Sequence, residues 1–355
     1  MLEKYDIIII GAGPAGSTLA RIADNSLKIL LLDGSAAGKP CGGLLAPDAQ
    51  KALARFDLTL PKNVMVDPQI FSVKTIDLET KKQRWYQRMY INVDRKKFDD
   101  WLLSLTPPNV TVEKGTCYKV VKEKDGFRIT YSNKNGETVD AVGNILIGAD
   151  GANSIVRKSF FPKLKTRKYV ALQQWFKEGE TAANPFYSCI FDRATSDCCS
   201  WSIYKDGYII FGGAFAPKNC RKAFEEQKSK LITFGLPLND PVRTEACTVL
   251  RPKSMKSFCL GSDNIFLIGE AAGFISPSSL EGISSAINSA VLLNDSLLSD
   301  KKNKHKAYKR KTLSLRMSLV YKNLKCPFMY NPFLRKLVMW SGLMSMDMYR
   351  KKKDR

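Results

Sequence analysis

The chain has 355 residues, 44% hydrophobic and 25% charged, which allows one large core or two moderate ones and leaves little room for a long disordered tract. A single histidine, His305, argues against a histidine-ligated metal and Ser-His-Asp chemistry. Nine cysteines without a C-x-x-C pair argue against structural zinc and iron–sulfur sites and fit reduced thiols. Lysine plus arginine (56) exceed aspartate plus glutamate (34), and seventeen of the basic residues, against two acidic ones, fall in residues 301–355.

In chain order, Ile7–Ile10 reads as a buried strand running into Gly11. It is followed by an Ala- and Leu-bearing helix and a second strand, Ile29–Leu32: a βαβ unit within about thirty residues. No signal-peptide cleavage pattern follows the first apolar run, and no run of eighteen apolar residues predicts a membrane span. Residues 46–56 read as helix and 68–91 as two strands, and Asp94 opens a helix running through Leu105. Asp125-Gly126 and Asn135-Gly136 mark hairpin turns within 110–141. A buried strand, Asn144–Ile147, ends at Gly148-Ala149-Asp150-Gly151. Aromatic and β-branched runs over 165–250 predict a separate antiparallel sheet, and the strand Ile265–Ile268 and a helix over about 280–298 return to the first kind of architecture.

Gly11, Gly13 and Gly16 form G-x-G-x-x-G between strand and helix, with Pro14 and Ala15 opening the helix. There a backbone without Cβ atoms lets a pyrophosphate approach the helix amino terminus. Asp33, followed by Gly34, ends the second strand, where a carboxylate accepts hydrogen bonds from an adenosine ribose. The turn alone serves NAD and FAD equally.

Gly148-Ala149-Asp150-Gly151 through Arg157, and Ile268-Gly269-Glu270-Ala271-Ala272-Gly273 through Pro277, resemble the second and third fingerprints of the flavin-dependent hydroxylase superfamily. Lys39-Pro40-Cys41-Gly42-Gly43 and Asp94-Arg95-x-x-Phe98-Asp99 bring the chain nearest the geranylgeranyl reductase family within it. The resemblance spans most of residues 1–300. It implies an α/β chain with a Rossmann-like FAD-binding domain of the p-hydroxybenzoate hydroxylase type, an antiparallel-sheet substrate domain and a helical carboxy-terminal segment. The expected boundaries are 1–67 with 92–160 and 251–300 for the FAD domain, 68–91 with 161–250 for the substrate domain, and 301–355 for the basic segment.

Carried over by that resemblance, Asp33 contacts the ribose, Arg95 sits near flavin and pyrophosphate, Asp150 fixes the pyrophosphate side and Glu270 faces the ribityl chain. Cys41, Gly42, Gly43, Gly269, Gly282 and Ile283 complete the cofactor set, and no metal is expected. Two positions depart from the family: Glu270 stands where aspartate is usual, and Leu280 where glycine is more frequent. The helix after Gly282 aims its amino terminus at the flavin, which favours reduced, anionic flavin. Cys41, in a glycine-rich loop, is the candidate proton relay, against the commoner fate of a cysteine as an inert buried thiol. Trp201 and Tyr204 resemble the family's lipid-channel aromatics, but they lie three apart, so in a regular strand they point to opposite faces and only one reaches a pocket.

The implied function is an FAD-dependent reductase of carbon–carbon double bonds in a hydrophobic, isoprenoid-like small molecule, with NADPH, NADH or a ferredoxin as electron donor. Two alternatives stay open: an aromatic or polyketide monooxygenase using NAD(P)H and oxygen, and a non-catalytic flavin- or lipid-binding protein. The absence of W-x-W-x-I-P argues against a halogenase. A cytoplasmic location is expected. The tail, 326–349 followed by Arg350-Lys-Lys-Lys353, reads either as a helix docked on the body with its lysines in solvent or as a peripheral contact with an anionic membrane. No nucleic-acid reader motif accompanies its charge.

Overall fold

The computed structural model describes residues 3–34, 38–179 and 186–348. Two runs of consecutive apolar residues, Ile7–Ile10 and Ile29–Leu32, are buried on both faces, as parallel strands sandwiched between helices require. Five strand segments lie parallel in the order Val110–Lys114, Ile29–Asp33, Ile7–Ile10, Ile145–Gly148 and Ile265–Leu267. The strands Val110–Glu123 and Thr138–Gly148 run on beyond this layer and, with Gly126–Asn133 between them, make an antiparallel meander. Helices Pro14–Ile22 and Ile283–Leu297 pack on each other beside the parallel layer. The carboxyl ends of four strands, at Ile10, Asp33, Gly148 and Leu267, therefore share one edge, the place where open α/β sheets bind ligands.

The second sheet has eight strands, in the order Pro241–Arg251, Arg167–Lys177, Tyr208–Phe215, Ser200–Lys205, Phe186–Phe191, Ile70–Asp77, Lys82–Asn92 and Leu44–Leu45. Its pairings are antiparallel except between Phe186–Phe191 and Ile70–Asp77. The helix Cys220–Thr233 covers one face, with the Phe224 ring 4.9 Å from Phe211 and 5.9 Å from Phe215. The sequence predicts only strands across this region, because a helix with few apolar residues gives a weak periodic signal.

Four short helices, Lys304–Lys311, Leu313–Tyr321, Cys326–Tyr330 and Pro332–Ser341, close the described chain. Among the described residues, no helix is long and apolar enough to cross a membrane. The last of the four docks through Arg335 and Met339, one turn apart and buried. Arg335 pairs with the fully buried Asp77 at 3.0 Å and with Glu79 at 2.7 Å. Arg335→Ala leaves a buried carboxylate unpaired and is expected to cost about 3–5 kcal/mol of stability in urea unfolding; a loss under about 1 kcal/mol would contradict this account. The opposite side of the helix carries Phe333 (68% exposed), Leu337 and Trp340 (72% exposed), so the solvent-facing surface is largely apolar rather than a face of lysines.

Candidate active site

A cavity of about 760 Å³ runs along the shared edge of the parallel strands and on to the second sheet. Its first wall is the glycine turn. Gly11 has φ +105°, and a Cβ there would stand 2.6 Å from the carbonyl oxygen of Ala149. A Cβ on Gly16 would overlap the carbonyl oxygen of Gly11, whereas one on Gly13 would meet no protein atom within 4 Å. Gly13 caps the helix Pro14–Ile22 without a side-chain cap bond, so the helix amino terminus faces the cavity with its N–H groups unclaimed by a capping side chain. Gly11, Gly13, Pro14, Ala15, Asp33 and Gly34 all line the cavity. Gly16 does not: it packs the helix against the turn, a structural duty rather than the contact expected of it.

The second and third motifs meet opposite the turn. The Arg157 guanidinium donates to the carbonyl oxygens of Ala152 and Ala271, joining the two loops. Asp150 lines the cavity. One carboxylate oxygen accepts the Ile155 N–H at 2.6 Å, and the other is buried with no partner among the described residues. Burial raises its pKa, against hydrogen bonds from Ser154 and nearby N–H groups. Glu270 also lines the cavity, but it does not present a free carboxylate to a ribityl chain. One oxygen is taken by Lys39 and the other accepts the Leu250 N–H at 2.8 Å. The extra methylene, relative to aspartate, lets the carboxylate reach these partners from the cavity wall. Lys39 is a site residue that the sequence reading quoted without a function, because its partner lies 231 positions away.

Between the sheets, Cys41, Gly42 and Gly43 form a loop on the cavity wall. Arg95 lies beside it, its Nε 3.0 Å from both oxygens of Asp99. Burial works against the charge of Arg95, but Asp99 and Cys41 outweigh it and hold the guanidinium charged. Burial also acts to raise the Cys41 thiol. The Arg95 charge, the Gly43 N–H at 3.4 Å and Lys39 outweigh it, so Cys41 titrates below the ordinary cysteine value. Cys247 lines the same cavity, and burial pushes its thiol up to about 11. Behind the loop, Lys205 donates to the Val93 carbonyl at 2.6 Å, and burial pulls its pKa down to about 8.

Trp201 and Ile203 project into the cavity from the second sheet. Tyr204 does not line it: two-residue periodicity turns the ring to the other face, against the cluster holding Phe176 and Phe211. Gln173, Tyr90 and Tyr187 line the cavity as well, and none of them was marked by a motif. The Gln173 side-chain oxygen and the Trp201 indole nitrogen are buried with no partner among the described residues. Tyr90 donates to Glu281 at 3.0 Å. Gly282 caps the helix Ile283–Leu297 without a side-chain bond, and Gly282, Ile283 and Ser284 line the cavity. Leu280 holds φ +57°, the left-handed conformation that suits glycine, and still carries its side chain into the cavity wall.

The Gly13 cradle and the unpartnered Asp150, Gln173 and Trp201 atoms all face one space, so the residues present fit an extended dinucleotide with a polar ring system at its far end. Among the described residues, no cluster of three or more His, Cys, Asp or Glu side chains is placed to hold a metal ion.

No protein-family model matches the chain. It is similar to the protein CbrA of Escherichia coli O6:H1, 47% identical over 349 residues that span 96% of this chain and 94% of that protein. Among solved structures it resembles a geranylgeranyl bacteriochlorophyll reductase-like protein of Thermoplasma acidophilum, with TM-score 0.71 and 19% identity, covering 98% of this chain and 89% of that one. A p-nitrophenol 4-monooxygenase of Pseudomonas putida aligns with TM-score 0.73 and 13% identity over 96% of this chain and 93% of that one. The myxobacterial chondrochloren halogenase aligns with TM-score 0.69 and 19% identity over 97% of this chain and 84% of that one. At these identities the structural likeness is one of fold, a Rossmann-like α/β domain joined to a second sheet.

Proposed function

The chain belongs to the family of the protein CbrA. From its fold and the cavity we propose that it is an FAD-dependent oxidoreductase reducing a carbon–carbon double bond of a hydrophobic small molecule. The observation that carries the reading is one cavity whose wall joins the Gly13 cradle to the loop of Cys41 beside Arg95. Reduced FAD, when bound, supplies the hydride, and NADPH, NADH or a ferredoxin supplies its electrons.

The chain's own residues do the rest. The amino-terminal N–H groups of the helix Pro14–Ile22 would hold the pyrophosphate, and Asp33 would take the ribose hydroxyls. The positive end of the helix Ile283–Leu297 stabilises negative charge at the ring system. The substrate lies against Trp201 and Tyr187, whose walls exclude water. Cys41 Sγ would give its proton to the alkene carbon that does not take the hydride, and Arg95 and Lys39 would hold the thiolate left behind until solvent reprotonates it.

The direct test is anaerobic incubation of reduced holoprotein with geranylgeraniol and mass analysis of the products. The proposal expects gain of two hydrogens per reduced bond. Oxygen-dependent gain of one oxygen atom on an aromatic probe, without alkene reduction, would replace it with the monooxygenase reading.

The same reading includes a membrane from which a hydrophobic substrate is drawn. Phe333, Leu337, Trp340, Leu343 and Met344 are exposed along the tail, and Met344 is 85% accessible. No acidic residue occurs between positions 301 and 346, while Lys309, Arg310, Lys311, Lys325 and Lys336 lie exposed. An apolar surface ringed by cations matches an anionic bilayer, to which each surface cation contributes about 1 kcal/mol. The basic run Arg350–Lys353 lies outside the described residues. Replacing Phe333 and Trp340 together by serine is expected to weaken sedimentation with phosphatidylserine vesicles by about tenfold or more. Unchanged sedimentation would remove the membrane from the account.

A further inference from the structure

A second cavity, of about 720 Å³, shares no lining residue with the first. It opens between the end of the helix Ile155–Phe160, the segment 255–261 and the helices Lys304–Lys311 and Leu313–Tyr321. Phe160, Phe161 and Phe258 give it an apolar floor, and Lys163, Lys309 and Arg316 give it three cations; no aspartate or glutamate lines it. Arg316 is only 7% exposed. One terminal nitrogen donates to the Lys309 carbonyl at 2.7 Å, but Nε is buried with no partner among the described residues, and no carboxylate there pairs with the guanidinium. His305 Nε2, in the same wall, is also buried and unpartnered. A buried, unpaired guanidinium is costly unless a counter-ion arrives from outside.

We infer that this groove binds a phosphorylated amphiphile, its phosphate on Arg316, Lys163 and Lys309 and its apolar body over Phe160, Phe161 and Phe258. Three cations without an acid exceed what a single carboxylate needs, and the planar guanidinium fork suits phosphate oxygens. The inference is independent of the flavin reading, since the two cavities are separate. It is also distinct from the exposed tail surface, none of whose apolar side chains lines the groove.

The test is calorimetric titration of the full chain with dodecyl phosphate below its micellar concentration, beside inorganic phosphate and phosphatidic acid vesicles. Dodecyl phosphate is expected to bind and to raise the melting temperature, and inorganic phosphate to bind about tenfold or more weakly, for want of the apolar contacts. Binding of dodecyl phosphate alone identifies a free amphiphile as the source, whereas vesicles competing for the same site identify a lipid headgroup. Arg316→Met removes the unpaired charge while keeping volume. It should stay folded and lose about tenfold or more in affinity, and the Phe333, Trp340 double variant should bind as the parent does. Should Arg316→Met fail to fold, Lys163→Glu, on an exposed side chain, decides alone. Unaltered binding in Lys163→Glu, or inorganic phosphate binding as tightly as dodecyl phosphate, would overturn the inference.

Discussion

Gly13→Ala is expected to leave the chain folded and to strip it of FAD. The backbone of Gly13 has φ −70°, which alanine adopts without strain, and the new Cβ meets no protein atom within 4 Å. Nothing in the protein opposes the substitution, so stability should change by no more than about 0.5 kcal/mol. The methyl would enter the open space at the amino terminus of the helix Pro14–Ile22, where the proposed function puts the pyrophosphate. Losing two charge-assisted hydrogen bonds there weakens FAD by about a hundredfold. Gly16→Ala makes the contrast: its Cβ collides with the Gly11 carbonyl, so it should lose fold and cofactor together. Equilibrium dialysis against FAD, with thermal melts of both variants, checks the pair. If Gly13→Ala retained FAD like the parent, the cradle would not be the pyrophosphate site.

Cys41→Ala carries the second large effect. The variant is expected to keep FAD and to accept electrons, because the thiol's one contact within the cofactor loop is a long one, the Gly43 N–H at 3.4 Å, while the glycine turn and Asp150 are untouched. Alkene reduction should fall by about 10²–10⁴, the range for loss of a positioned general acid. The thiol is singled out by its surroundings rather than by being a cysteine: Cys247 lines the same cavity, but there burial outweighs the charges of Lys39 and Arg95 and pushes it up to about 11. Rapid-mixing kinetics separate reduction of the cofactor from its reoxidation by substrate. Loss of the second with the first intact is the predicted pattern, and equal turnover in variant and parent would move the proton source elsewhere.

What the sequence revealed, and what it did not, follows from the range of the interactions. The parallel strands were legible because their apolar runs are local, and Asp94 was legible as a helix cap because its carboxylate takes the Lys97 N–H three residues on, at 3.0 Å. The glycine turn and Asp33 were legible because one strand-turn-helix carries them. The helix Cys220–Thr233 was missed: only Phe224, Gln227 and Leu231 of its face are buried, too sparse a stripe to outweigh the β-rich flanks. Glu270 was assigned to a ligand because no local pattern announces Lys39 or the Leu250 N–H, both contributed from distant stretches of chain. Gln173 and Tyr187 entered the wall through the register of the second sheet, which a single strand does not reveal. Tyr204 shows the converse. Its distance from Trp201 already required opposite faces, and the sheet turned Trp201 to the cavity and Tyr204 away from it.

Whether this chain holds a reducible FAD is read most directly from the absorbance spectrum of the purified protein, titrated anaerobically with NADPH after reconstitution with FAD. Flavin bands are expected to stay with the protein through gel filtration and to bleach as NADPH is added. Bands that remain but bleach only with a ferredoxin-type donor would keep the flavoprotein and change the donor. A protein that emerges from reconstitution with no flavin bands at all would contradict the account at its root.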